Sequence, residues 1–78
     1  MSHRVTLYTR EGCHLCDPAR TTVQDVCAEA GVEWHEVDID TDPLLREKYG
    51  EEVPVVLADG KTVGFWRIDA NVLRRALA

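Results

Sequence analysis

The chain has 78 residues, 45% hydrophobic and 29% charged, with a formal net charge of −5. That length allows a single small domain spanning 1–78, with a core only just large enough to hold it together, and the composition argues against disorder. The acidic balance and the lack of any Lys/Arg-rich run disfavour nucleic acid or an anionic membrane as partner. No stretch approaches the roughly 18 apolar residues of a membrane span. Met1-Ser2-His3-Arg4 leads directly into a strand pattern, so a cytoplasmic location is expected.

Val5-Thr6-Leu7-Tyr8-Thr9 is β-branched and aromatic, bulky on both faces, and reads as a central strand. It runs into Arg10-Glu11-Gly12-Cys13-His14-Leu15-Cys16, where two cysteines stand three positions apart. From Cys13 to Ala30 the pattern is helical, with Ala19, Val23, Val26, Cys27 and Ala30 on one face and Gly31 placed to end it. Pro18 allows two starts. The helix begins at Cys13 and forgoes a backbone bond, or Asp17 caps a helix beginning at Pro18; the first is the expectation adopted.

Val32 to Ile39 alternates, with His35, Val37 and Ile39 expected inward and Trp34, Glu36 and Asp38 outward, as in an edge strand. Asp42-Pro43 starts a short helix carrying Leu44, Leu45 and Tyr49, which Gly50 stops. Val53-Pro54-Val55-Val56-Leu57 and Thr62-Val63-Gly64-Phe65-Trp66 are strands joined through Asp59-Gly60, a hairpin signal. Asp69 caps a last helix buried through Val72, Leu73, Ala76 and Leu77, with Ile68 and Leu73 spaced as a hydrophobic staple. The order βαβαββα makes an α/β domain: a four-stranded mixed sheet flanked by three helices.

A thiolate is the reactive form of cysteine, and a helix N-terminus stabilises it through free N–H groups and the dipole. Thiols at Cys13 and Cys16 in a first helical turn are also close enough to join as a disulfide. The total of three cysteines is odd, which fits a redox or metal pair in a reducing compartment better than a secreted disulfide scaffold. Cys27, on the apolar helix face, reads as a small buried hydrophobe. The carboxylates Glu33, Glu36, Asp38, Asp40 and Asp42 read as a solvated face.

The element order, Cys13-His14-Leu15-Cys16 after the first strand and Val53-Pro54 before the third resemble the thioredoxin superfold. The short length, and the run from Leu7 to Asp17, resemble the bacterial glutaredoxin-like proteins with a Cys-His-Leu-Cys site. The resemblance implies a thiol–disulfide oxidoreductase in which Cys13 is the nucleophile and Cys16 the resolving thiol. It also implies that Pro54 is a cis-proline facing the sulfurs, with Val53 offering backbone N–H and C=O to an extended substrate. Arg10 stands where glutaredoxins carry a substrate-binding lysine.

This sequence departs from the family pattern at several positions. His14 replaces a frequent proline; as an imidazolium it favours a neighbouring thiolate, and as a solvated first-turn residue it does nothing. Glu52 replaces a threonine and Gly64-Phe65-Trp66 a double glycine, changes that disfavour the anionic tripeptide glutathione. Asp69 serves as a helix cap. The expectation is a monomer with no bound cofactor, acting on protein disulfides or low-molecular-weight thiols, with a reductase as electron donor and glutathione as a weak co-substrate. Two other readings remain. One is a docking module of the same fold with little catalysis; the other is metal or iron–sulfur binding through Cys13 and Cys16 in a dimer.

Overall fold

The computed structural model describes residues 3–78. Its elements are β1 (Arg4–Thr9), α1 (Cys16–Ala30), β2 (Glu33–Asp38), a 3-10 turn (Ile39–Thr41), α2 (Pro43–Tyr49), β3 (Val55–Ala58), β4 (Lys61–Phe65) and α3 (Ala70–Ala76). The four strands form one sheet in the order β2-β1-β3-β4. β1 pairs parallel with β2 and antiparallel with β3, and β3 pairs antiparallel with β4. The expected βαβαββα order and mixed sheet are present, β1 is central and β2 is an edge strand.

Two cores follow from the pleat. Val5 and Leu7 of β1 and Val56 and Ala58 of β3 meet Ala19, Val23, Val26 and Cys27 of α1 and Leu73 and Leu77 at the C-terminal helix. On the other face Val55 packs with Ile39 and Tyr49, against Tyr8, Leu45, Val53 and Leu57. Tyr8 and Tyr49 stack with ring centroids 4.8 Å apart. Alternate residues of a strand thus feed opposite layers, as the two-residue side-chain period requires.

Local signals place the element ends. Gly31 adopts the left-handed conformation, φ 67°, that closes α1, a region costly to any residue with a Cβ. Asp42 accepts from Leu44 N–H and Asp69 from Asn71 and Val72 N–H, satisfying first-turn donors that lack helical partners. Asp59 and Gly60 both take positive φ, 53° and 83°, as a two-residue turn matched to strand twist demands. The Asp59 carboxylate also accepts from His3 at 2.6 Å and from Arg4 N–H at 2.9 Å. The His3 bond, then the Arg4 bond, holds that carboxyl below the usual range.

Three expectations are corrected. α1 begins at Cys16, between the two starts weighed, because turns closed by Cys13 N–H to Arg10 O and Cys16 N–H to Cys13 O precede the first helical bond, Ala19 N–H to Leu15 O. Pro18 then falls within the first turn, where its missing N–H has no helical partner to lose. β2 departs at its start: Trp34 packs on the first core and His35 is exposed, whereas Ile39 is buried in the second core and Glu36 and Asp38 are exposed as expected. Pairing Val5 with Trp34 and Thr6 with His35 puts each pair on one face, so Trp34 follows Val5 inward. Finally, Ala30 is exposed rather than buried at the helix end.

Candidate functional site

The loop after β1 carries the two cysteines. Gly12 has φ 80°, a left-handed turn that a glycine makes without steric cost, and it lifts Cys13 off the strand end just ahead of α1. Cys16, the first helical residue, is 2% exposed, whereas Cys13 is only half-buried. The two form a disulfide across a Cα–Cα distance of 5.4 Å. Cys13 therefore lies one turn outside the helix, not in it. No side chain caps α1 at Leu15, and Asp17 is the acidic residue of its first turn, so the positive end of the helix dipole faces this loop with that carboxylate beside it.

Facing the pair is the segment before β3. The Val53-Pro54 peptide bond is cis, Pro54 is fully buried, and Val53 O lies 4.0 Å from Cys13 Sγ. The Val53 N–H is already bonded to Tyr49 O at 3.2 Å, which leaves the carbonyl as this residue's polar group toward the sulfur. Arg10 is half-buried and donates to Asp40 Oδ2 and to Gly50 O, both at 3.2 Å. It ties the end of β1 to the end of α2 and borders a recess with Arg46, Lys48, Glu51 and Glu52. His14 is exposed beside Cys13. Glu52 is exposed immediately before Val53.

Trp66 organises the wall on the far side; the sequence marks it as a bulky ring that covers sheet surface or meets a partner, and not as a strap. Its backbone N–H donates to Pro54 O at 2.9 Å and Glu52 O at 3.3 Å, and its indole N–H donates to Glu51 O at 2.8 Å. It takes φ 61° to do so, a left-handed conformation that costs on the order of 1 kcal/mol for a bulky residue. The 51–54 segment is thus strapped to the end of β4. Consecutive Phe65 and Trp66 in an alternating strand were the sequence signal, since both rings cannot face the core of one sheet.

A second unforeseen feature lies under the loop. Arg20 of α1 grips Glu36 through Nε at 2.6 Å and Nη2 at 2.9 Å. Thr9, 4% exposed, donates to the same carboxylate at 2.9 Å. The hydrogen bond from Arg20, helped by Thr9, lowers the Glu36 pKa against the opposing effect of burial. Glu36 is therefore a structural ion-pair member rather than part of a free acidic face. Burial pushes the Cys27 thiol up, and this residue sits in the first core, away from the cysteine pair. Among the described residues no group of three or more His, Cys, Asp or Glu is arranged to hold a metal ion. Among them too, no helix is long and apolar enough to cross a membrane.

Comparison with known proteins bears on the same features. The uncharacterized protein Rv0508 of Mycobacterium tuberculosis is 32% identical over 80 residues, covering 96% of this chain and 82% of that protein. The X-ray structure of XcR50 from X. campestris superposes with a TM-score of 0.77 at 38% identity, over 94% of this chain and 93% of that one. Ne2328 from Nitrosomonas europaea, solved by NMR, gives a TM-score of 0.85 at 26% identity, over 100% and 94%. Thioredoxin from Fasciola hepatica shares the fold alone, with a TM-score of 0.66 at 24% identity, over 97% and 78%. The Glutaredoxin-like domain (DUF836) family model matches residues 4–78. A thioredoxin-type sheet, a cysteine pair at the end of its central strand and a facing Val53-Pro54 are what that match spans, and the chain belongs to this glutaredoxin-like family.

Proposed function

We propose that the protein is a small thiol–disulfide oxidoreductase. In the reduced form the Cys13 thiolate attacks one sulfur of a substrate disulfide. A Cys13–substrate disulfide forms and the other substrate sulfur leaves as a thiolate. Cys16 gives up its proton and attacks Cys13 Sγ, closing the Cys13–Cys16 disulfide and releasing the second substrate thiolate. Two electrons pass to the substrate, and an external thiol or dithiol reductant resets the pair. The observation that carries this reading is the pair itself: two cysteines at disulfide distance, one buried and one half-exposed at the mouth of α1. Exposure fits Cys13 to attack and burial fits Cys16 to resolve.

The Val53 carbonyl and the Pro54 ring form the wall against which a substrate sulfur lies, and the helix dipole favours the Cys13 thiolate. His14 adds to that field when protonated. Glutathione is a poor co-substrate in this reading. Arg10 is engaged by Asp40 and Gly50 O, Glu52 sets a carboxylate before Val53, and Phe65 and Trp66 fill the place of a double glycine. Substrates are protein disulfides, the chain acts as a monomer, and the odd cysteine number suits the cytoplasm.

Alkylation of the reduced native protein tests the assignment. The rate at Cys13 should titrate below the ordinary thiol value of about 8.5, with Cys27 unlabelled until the protein unfolds. Ordinary titration at Cys13, with no intramolecular disulfide on mild oxidation, would overturn the reading. A Cys16→Ser variant should trap protein mixed disulfides but glutathionylate slowly; rapid, stoichiometric glutathionylation would overturn the glutathione part alone.

A further inference from the structure

The surface beside the cysteine pair is apolar. Leu15, Phe65 and Trp66 are 40%, 49% and 53% exposed, and with Arg67 they line a recess of about 370 Å³. An adjoining recess shares Leu15, Trp66 and Arg67 and runs on past Pro18, Thr22 and Ile68. Leu44 on α2 is the remaining exposed large hydrophobic residue among those described. Three of these four exposed large hydrophobic residues therefore gather at one place, as at an interaction site.

The recess is also held in shape. Phe65 meets Trp66 edge to face, centroids 5.3 Å apart, and three hydrogen bonds strap Trp66 to the 51–54 segment. Rings already fixed lose little conformational freedom on binding, so contact with them is efficient. Arg67 is exposed. Arg10, Arg20 and Arg74 each pair with a carboxylate, but among the described residues no ion pair involves Arg67. A cation left open at the rim of an apolar recess fits an occupant with an apolar body and a carboxylate.

We propose that this recess selects the substrate: a polypeptide disulfide whose reactive cysteine is followed by a bulky apolar residue and then a carboxylate. The apolar side chain rests on Leu15, Phe65 and Trp66, and the carboxylate meets Arg67. Leu15 lies between the two cysteines and the Trp66 N–H donates to the carbonyl of Pro54, so the recess borders the wall that faces Cys13. The proposal rests on the reading of Cys13 as the attacking thiol. Glutathione has carboxylates but no apolar side chain, and it leaves the recess unfilled.

Single-turnover exchange tests this. The pre-reduced full chain is mixed with short peptides that each carry one cysteine as a mixed disulfide with thionitrobenzoate. Attack by Cys13 on the peptide sulfur releases coloured thionitrobenzoate, and Cys16 then displaces the peptide thiol. The peptides place Phe-Glu, Phe-Lys or Ser-Glu after the cysteine, and the glutathione mixed disulfide is the fourth probe. Each rate is divided by that probe's rate with dithiothreitol, which removes intrinsic reactivity. The Phe-Glu peptide should react about tenfold faster than Ser-Glu and the glutathione probe, the discrimination expected for one apolar group in a pocket. It should also beat Phe-Lys by about threefold at low salt, a gap that closes as salt screens the charge. Arg67→Glu, a surface change, should invert the charge preference toward Phe-Lys, and Phe65→Ser should narrow the preference for Phe over Ser.

Equal normalised rates for all four probes, or a charge preference that Arg67→Glu leaves unmoved, would overturn the recess proposal while the oxidoreductase reading stands. Failure of every probe, glutathione included, to release thionitrobenzoate would overturn the reading of Cys13 and the proposal with it.

Discussion

Glu36 shows how far a single residue departs from its pattern. In the sequence it is one carboxylate in an acidic run; in the fold its two oxygens take Arg20 in a fork and Thr9 besides. Its folded pKa is depressed, so the associated stability is present above the unfolded carboxylate value of about 4.3 and is lost as pH falls through the lower folded value. Both partners are partly exposed, with side-chain accessibilities of 39% and 31%, so screening reduces what the pair contributes. Glu36→Gln should therefore lower stability by about 1 kcal/mol at neutral pH. Urea denaturation at pH 7 and again near pH 3 checks this, since the difference between variant and parent should shrink at the lower pH. A difference that persisted there would assign the effect to packing instead of charge.

At the level of elements, the β4–α3 connection governs the wall of the site. Trp66 reaches back to Glu51, Glu52 and Pro54, and the 51–53 stretch in turn hangs on Tyr49 O through Glu52 and Val53 N–H at 2.9 and 3.2 Å. Trp66→Phe keeps an aromatic ring and both backbone bonds but removes the indole donor. The expected cost is about 1 kcal/mol, the net value of one hydrogen bond. The sharper readout is local: amide exchange at Glu52 and Val53 should accelerate, while amides of β1 keep their protection. Uniform acceleration across the sheet would mean that the strap stabilises the whole fold and not this segment. The same element scale explains the misread start of α1. Helical periodicity from Ala19 to Cys27 is set by core contacts, but the residues before it are held by turns whose bonds leave no periodic trace.

Over the whole molecule, stability depends on few large side chains because a chain of 78 residues buries a limited apolar area. Leu73 is fully buried and is the one buried residue that α3 itself places in the core shared with α1 and the sheet, joined by Leu77 just past the helix. Leu73→Ala should cost about 2–4 kcal/mol, transfer plus cavity, a large part of the roughly 5–15 kcal/mol available to a domain. Equilibrium unfolding in urea measures it. A loss below about 1 kcal/mol would show that α3 repacks or is dispensable.

Much was legible in the chain because it is written in short-range chemistry. The β-branched and aromatic run of β1, the Asp59-Gly60 turn, Gly31 after α1, the Asp42 and Asp69 caps and the Cys-x-x-Cys spacing each act within a few residues. Those features sufficed for element order, fold class and the cysteine pair. What the sequence left undecided depends on groups far apart in it. Parallel pairing with β1 turned Trp34 inward and His35 outward; α1 and β2 met to engage Glu36; and the end of β4 closed over the 51–54 segment. The face of β2 is decided by its neighbour's register, and a hydrogen bond between Trp66 and Glu51 exists only once the sheet has brought them together. Local preference chose the elements and marked the two cysteines, while long-range packing decided which sulfur is open and what surrounds it.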